Sequence, residues 1–89
     1  MATRFRPSAA RHGISVERVR FAIAACPLPL FDPKPEHGPD LVLFLGPDAN
    51  GVLLEIVAIE LDGGDLVVIH AMRLRKAYLA AYAEVMLWR

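Results

Sequence analysis

The sequence predicts an α+β domain in which helices flank a continuous antiparallel β-meander. Three observations carry this. Hydrophobic residues make up 55% of the 89-residue chain, too many for a disordered polymer and enough for one core. Short apolar runs at 41–45, 52–60 and 66–72 are separated by glycine-bearing turns, the pattern of a meander. Segments with helical spacing of apolar residues lie before and after those runs, which places the helices outside the sheet's connections.

Residues 1–7 are expected to be a loose lead-in to a single domain spanning 1–89. Residues 8–11 fit a short helix stopped by His12-Gly13, because glycine suits the left-handed position after a helix. Ser15 is a good N-cap for a second helix over 16–25. Val16, Val19, Ala22 and Ile23 share a face of that helix, while Glu17, Arg18 and Arg20 fall elsewhere. Pro27 and Pro29 end it, and they weaken a first strand expected over 28–31. The stretch 32–39 is polar and rich in proline, as a surface loop is, and His37 within it is expected to be exposed and inert.

The run 41–45 is continuously apolar, as in a central strand covered on both faces. Asn50-Gly51 marks a hairpin turn before the strand 52–60, and Asp62-Gly63-Gly64-Asp65 a second turn before the last strand, 66–72. A helix from Arg75 to about Trp88 follows, with Leu79, Tyr82 and Met86 on one stripe and Val85 and Trp88 beside it. The expected order is two short helices, a meander of three to four strands, and a C-terminal helix, with the helices packed on one face of the sheet.

Net charge is zero, but the charges are segregated. Residues 1–20 sum to +4, residues 21–65 to −7 and residues 66–89 to +3. Such a chain suits an anionic ligand on one side and a basic partner on another, although charges in a small domain also cluster by chance. No apolar stretch is long enough to span a membrane. Arg4, Arg6 and Arg11 interrupt the place where a signal peptide would be apolar, and the single cysteine, Cys26, has no internal partner. A reducing cytoplasm is the expected location.

The junction between the last strand and the last helix is the most informative segment. Arg73, Arg75 and Lys76 fall at the N-terminal end of the helix, where the macrodipole is already positive. Free N–H groups at such an end make an anion site, so arginine, lysine, His70 and Tyr78 gathered there point to phosphate and towards RNA.

An ordered series of motifs resembles BrnT-like toxins of the RelE/ParE superfamily, from type II toxin–antitoxin systems. His12-Gly13-Ile14-Ser15 before a short helix is similar to the family's Lys-His-Gly-Val-Ser segment. A proline-containing strand, an acidic loop, Leu43-Phe44-Leu45-Gly46, an Asn-Gly turn and Leu53-Leu54-Glu55-Ile56-Val57 follow in the family's order. A tight turn and a last strand running into a basic helix complete the match, which covers about 11–82. Three departures stand out. Residues 1–10 carry no Phe-x-Trp-Asp first strand, so the sheet is expected to lack that edge. Where the family's last strand tends to read Ile-Ser-Ala-Arg, this chain has Ile69-His70-Ala71-Met72, with Arg73 displaced by one position. RNA-cleaving toxins are generally basic, and this chain is neutral.

The resemblance implies a metal-free endoribonuclease, in which the RNA 2′-hydroxyl attacks the adjacent phosphate and leaves a cyclic phosphate and a 5′-hydroxyl. That reaction needs a base, an acid and cations around the developing charge. His70 is the acid/base candidate because imidazole titrates near neutrality. Arg73 and Arg75 would clamp phosphate oxygens as the other catalytic candidates. Lys76, Tyr78 and His12 are candidate RNA-binding residues, through point charge, stacking and a shared motif position respectively. Each also has an ordinary reading: a structural histidine, a solvated helix start, aromatic packing for Tyr78 and Tyr82, and a turn-shaping role for His12. Glu55 and Glu60 can pair with the arginines, and Glu55 is a further base candidate. No Cys/His cluster has metal-ligand spacing, and no phosphate-binding loop, dinucleotide fingerprint or nucleophile elbow occurs, so neither metal nor cofactor is expected.

Two functions follow as expectations. One is a toxin that cleaves mRNA, free or on the ribosome, and is neutralised by a cognate antitoxin. The other is a non-catalytic module on the same scaffold that binds protein or nucleic acid; an open sheet edge would let it pair with another chain or with a second copy of itself.

Overall fold

The strongest local signals produce the expected elements in a computed structural model that describes residues 2–31 and 40–87. Helix α1 spans Val16–Ala25, and the Ser15 hydroxyl accepts the Arg18 N–H at 3.2 Å as its N-cap. Val19 and Ala22 are buried and Ile23 half-buried, whereas Val16 is 39% exposed and lies outside the packed stripe.

The chain opens on a strand rather than a loose tail. Strand β1 (Thr3–Phe5) is followed by a 3-10 turn over Pro7–Ala10 in place of the expected first helix. Strands β2 (Leu30–Phe31), β3 (Leu41–Pro47), β4 (Leu53–Glu60) and β5 (Leu66–Arg73) complete the sheet, and helix α2 (Leu79–Leu87) closes the described chain. The α+β class stands. The expectation of two N-terminal helices and a purely antiparallel meander is corrected to one helix and a five-stranded mixed sheet, ordered β1-β5-β4-β3-β2. The proline-rich loop 32–39 and Trp88 fall outside the described residues.

β1 supplies the edge that the sequence was expected to lack. It runs parallel to β5, with Thr3 opposite Leu66 and Phe5 opposite Val68. A strand of three residues has too little alternation to announce itself. It is held by its ends: the Ala2 N–H donates to Asp65 Oδ1, Leu66 N–H to the Ala2 carbonyl, and Arg6 N–H to the Val68 carbonyl, all at 2.9 Å. The Arg20 guanidinium of α1 lies 5.7 Å from the Phe5 ring centre and ties strand to helix.

Alternation divides the sheet into two faces. Val42, Phe44, Leu54, Ile56, Ala58, Leu66, Val68 and Ala71 pack with Val19 and Ala22 of α1 and with Ala9 of the 3-10 turn. The opposite face carries Leu41, Leu43 and Leu45 of β3, opposite Ile59, Val57 and Glu55 of β4. Leu45 and Val85 are fully buried but lie outside the α1-side cluster, and α2 is the element beyond α1 and the neighbouring strands that reaches β3. The two helices therefore do not share one packing layer.

Two devices shape the strands and their turns. The turn after β3 is tied to α1: Asp48 Oδ1 accepts the N–H groups of Asn50 (2.9 Å) and Val52 (3.0 Å), and Oδ2 accepts Arg18 Nε at 2.7 Å. The Arg18 bond is the main reason that the Asp48 carboxyl is held below its ordinary range; burial opposes it and the two backbone donors add to it. Gly51 takes φ +81°, a left-handed conformation that glycine enters without strain. The second device is a bulge. Val57 faces His70 while Ala58 faces Val68, so Ile69 is an extra residue in β5.

Candidate functional site

The bulge at Ile69 decides which side chains meet. Unbroken alternation from the inward Val68 would put His70 on the α1 face. With Ile69 inserted, His70 stands opposite Val57 and Met72 opposite Glu55, on the other face. Ala71 and Arg73 return to the α1 face, opposite Ile56 and Leu54.

Glu55 is the centre of the cluster. It interrupts the apolar sequence of β4 and its side chain is fully buried. Its Oε1 accepts the Arg75 backbone N–H at 2.9 Å and Arg75 Nε at 3.0 Å. Its Oε2 accepts Arg75 Nη2 at 2.7 Å and lies 3.2 Å from His70 Nε2. Burial pushes the Glu55 carboxyl up, but the Arg75 and His70 hydrogen bonds and the guanidinium charge outweigh it, and the group is held below its ordinary range. The same contact raises Arg75. An ionised carboxylate can only accept, so it takes the hydrogen on His70 Nε2 and leaves Nδ1 as the second ring nitrogen. Among the described residues no buried polar side-chain atom lacks a partner.

At the start of the expected helix, Glu55 of the same chain occupies the cap residue Arg75. The segment 75–78 opens as a 3-10 turn over Lys76–Tyr78 before α2, and its first N–H, that of Arg75, is given to Glu55. Of the three cations expected there, Arg75 is the one that this carboxylate binds. Arg75 remains about half exposed, and the Nη1 hydrogens and the second Nη2 hydrogen are left for another acceptor. Its guanidinium also lies 5.6 Å from the Tyr78 ring centre.

The candidates divide clearly. His70 and Arg75 come together on Glu55, Tyr78 lies against Arg75, and His12 meets His70: its ring centre is 5.6 Å from that of His70, with the rings at 72°. Lys76 is exposed beside Arg75. Arg73 belongs to β5 and stands on the face away from Glu55, exposed at the strand's end, so it is not part of the cluster. Glu60 lies opposite Leu66 at the far end of β4, exposed and away from the arginines with which it was expected to pair. His37 lies outside the described residues. Among the described residues no group of three or more His, Cys, Asp or Glu side chains is placed to hold a metal ion, and no helix is long and apolar enough to cross a membrane.

The expected pairing of Glu55 with an arginine is met by Arg75, whereas its other reading, as a free base, is not. Its oxygens are occupied, so it positions His70 and Arg75 instead. The available signal was its setting: a carboxylate inside an apolar strand needs buried partners.

An apolar hollow of about 370 Å³ adjoins the cluster, lined by Leu30, Leu41, Leu43, Val57 and Tyr78 among others. A second hollow, of about 470 Å³, lies between α1 and α2 and is lined by none of the cluster's residues; its carboxylate, Asp48, is bonded to Arg18. No protein-family model, curated protein or solved structure matches the chain.

Proposed function

We propose that this chain is the toxin of a type II toxin–antitoxin pair, a metal-free endoribonuclease that acts on mRNA in the cytoplasm and is neutralised by a cognate antitoxin. The observation that supports it best is the buried Glu55 carboxylate gripping both an imidazole and a guanidinium at one surface. These are the residue types that RNA cleavage by its own 2′-hydroxyl requires: a proton-transfer group fixed in orientation, and a charged fork for the phosphate. Tyr78 and the hollow beside it offer an apolar surface on which a neighbouring base can stack. Lys76 adds positive charge at the rim. The ordered resemblance to BrnT-like toxins supports the same reading.

Incubation of the purified chain with RNA, followed by analysis of the new ends, tests it. Cyclic phosphate and 5′-hydroxyl ends should appear, and His70→Ala should lower the rate by about a hundredfold or more. Expression should arrest growth, and co-expression of the antitoxin should relieve the arrest. Absence of cleavage by the wild-type chain, on free RNA and on translating ribosomes, would refute the assignment.

One observation favours a non-catalytic alternative, in which the chain binds a protein or nucleic acid without cutting. Glu55 already satisfies Arg75 and His70, so both could serve purely to lock the strand–helix junction. In that case Glu55→Gln would lower melting temperature while RNA remains intact with either protein.

A further inference from the structure

We propose that His12 is the general acid of this site and works beside His70 on the scissile phosphate. The inference rests on the ribonuclease reading and deepens it by changing His12 from a binding residue to a catalytic one. The two imidazoles are far apart in sequence, yet their ring centres lie 5.6 Å from one another, edge to face. Each is delivered by its own device. The bulge at Ile69 turns His70 to the Glu55 face. His12 is brought to the same place by the segment that follows β1: Arg6 N–H donates to the Val68 carbonyl at 2.9 Å, and the Ser8 hydroxyl to the Ile69 carbonyl at 2.7 Å. The buried Ala9 seats the 3-10 turn against the core. Gly13, at φ +72° with its N–H on the Ala10 carbonyl, then reverses the chain into the capped start of α1. His12 is thus a surface side chain on a doubly anchored loop.

The environments differ in a way that assigns roles. His70 is half-buried and its Nε2–H is held by Glu55, which orients the ring and leaves Nδ1 as the nitrogen that can accept a proton. That is the setting of a base. His12 is exposed, has no carboxylate partner among the described residues, and meets the site through His70. Among the described residues Glu55 of β4 touches His70, Arg75 of the segment before α2 touches Glu55, and Tyr78 lies against Arg75; Arg11 adjoins His12 in the chain.

The step balances without a co-reactant. Neutral His70 takes the proton of the 2′-hydroxyl, and the 2′-oxygen forms a bond to phosphorus. The bond from phosphorus to the 5′-oxygen breaks, and protonated His12 gives its proton to that oxygen. A 2′,3′-cyclic phosphate and a 5′-hydroxyl result. Arg75 donates its free guanidinium hydrogens to the phosphoryl oxygens as charge develops.

Short oligoribonucleotides cleaved by the wild-type chain are compared with the same sequences carrying sulfur in place of the bridging 5′-oxygen, because a thiolate leaves without a general acid. His12→Ala should lower kcat/KM on the oxygen-linked RNA by about a hundredfold, and by less than about fivefold on the sulfur-linked RNA. His70→Ala should be slow on both. The wild-type pH profile should be bell-shaped, with its alkaline fall lost in His12→Ala. Equal melting of His12→Ala and wild type confirms that folding is intact. Cleavage of oxygen-linked RNA by His12→Ala within about threefold of wild type would overturn the acid assignment while leaving the ribonuclease reading in place. A loss that persists on sulfur-linked RNA would overturn it too. No cleavage by the wild-type chain overturns both.

Discussion

Glu55 shows how one buried charge organises a surface. Burial alone would favour the neutral carboxyl, and only the guanidinium, the backbone N–H of Arg75 and the His70 ring keep it ionised. Glu55→Ala leaves the Arg75 backbone N–H and the His70 ring N–H, both part-buried, without their acceptor and should lower stability by about 1–3 kcal/mol in chemical denaturation. The sign of the pH dependence follows from the same contacts. The Glu55 and Asp48 carboxyls are both depressed on folding, so the unfolded chain binds more protons at acid pH. Their stabilisation is complete above the ordinary carboxylate range and is lost as the pH falls through the lower folded values. Thermal melting should be flat near neutrality and fall towards strongly acid pH, less steeply in Glu55→Gln.

The elements differ in how openly the sequence displays them. Helix α1 is legible because its cap, its stripe and its terminating prolines all lie within a few residues. Ser15→Ala should cost about 1 kcal/mol in urea unfolding, the usual worth of a lost cap. Strand β5 looks equally legible, but its bulge is not: nothing in Leu66-Val67-Val68-Ile69-His70 marks Ile69 as the extra residue. Deleting Ile69 should remove the bulge and place His70 directly after Val68, still opposite Val57 and still on the Glu55 face. The observable consequence is that the His70–Glu55 contact survives the deletion, read from the NMR signal of the hydrogen-bonded His70 ring N–H. β1 illustrates the reverse case, a strand too short to read whose partner lies more than sixty residues away. Val85 is fully buried in α2, so Val85→Ala should cost about 2 kcal/mol, which would confirm by thermal melting that α2 packs rather than frays.

At the scale of the whole molecule, the segregated charges fold into something less simple than a basic end and an acidic middle. Glu55, from the acidic middle, is consumed by Arg75, from the basic end, and Asp48 by Arg18. The cations that remain at the site's rim are fewer than the sequence count implies. If RNA binds there, Lys76→Ala should flatten the slope of log affinity against log salt by about 0.7, the share of one phosphate contact on a single strand. Arg73→Ala, on the opposite face, should leave that slope unchanged. Filter binding over a salt series distinguishes the two.

The sequence by itself determined the α+β class, helix α1 with its cap, the hairpin turn at Asn50-Gly51 and the approximate positions of four of the strands. Those features depend on periodicity and turn chemistry within about ten residues, which a linear reading captures. The tertiary structure alone decided that β1 lies at the edge beside β5, that Ile69 bulges, that His12 meets His70 and that Glu55 joins Arg75 to His70. Each of those joins residues distant in the chain. Whether they meet depends on register and on the competition of a buried carboxylate for every available donor, and neither is encoded in local spacing.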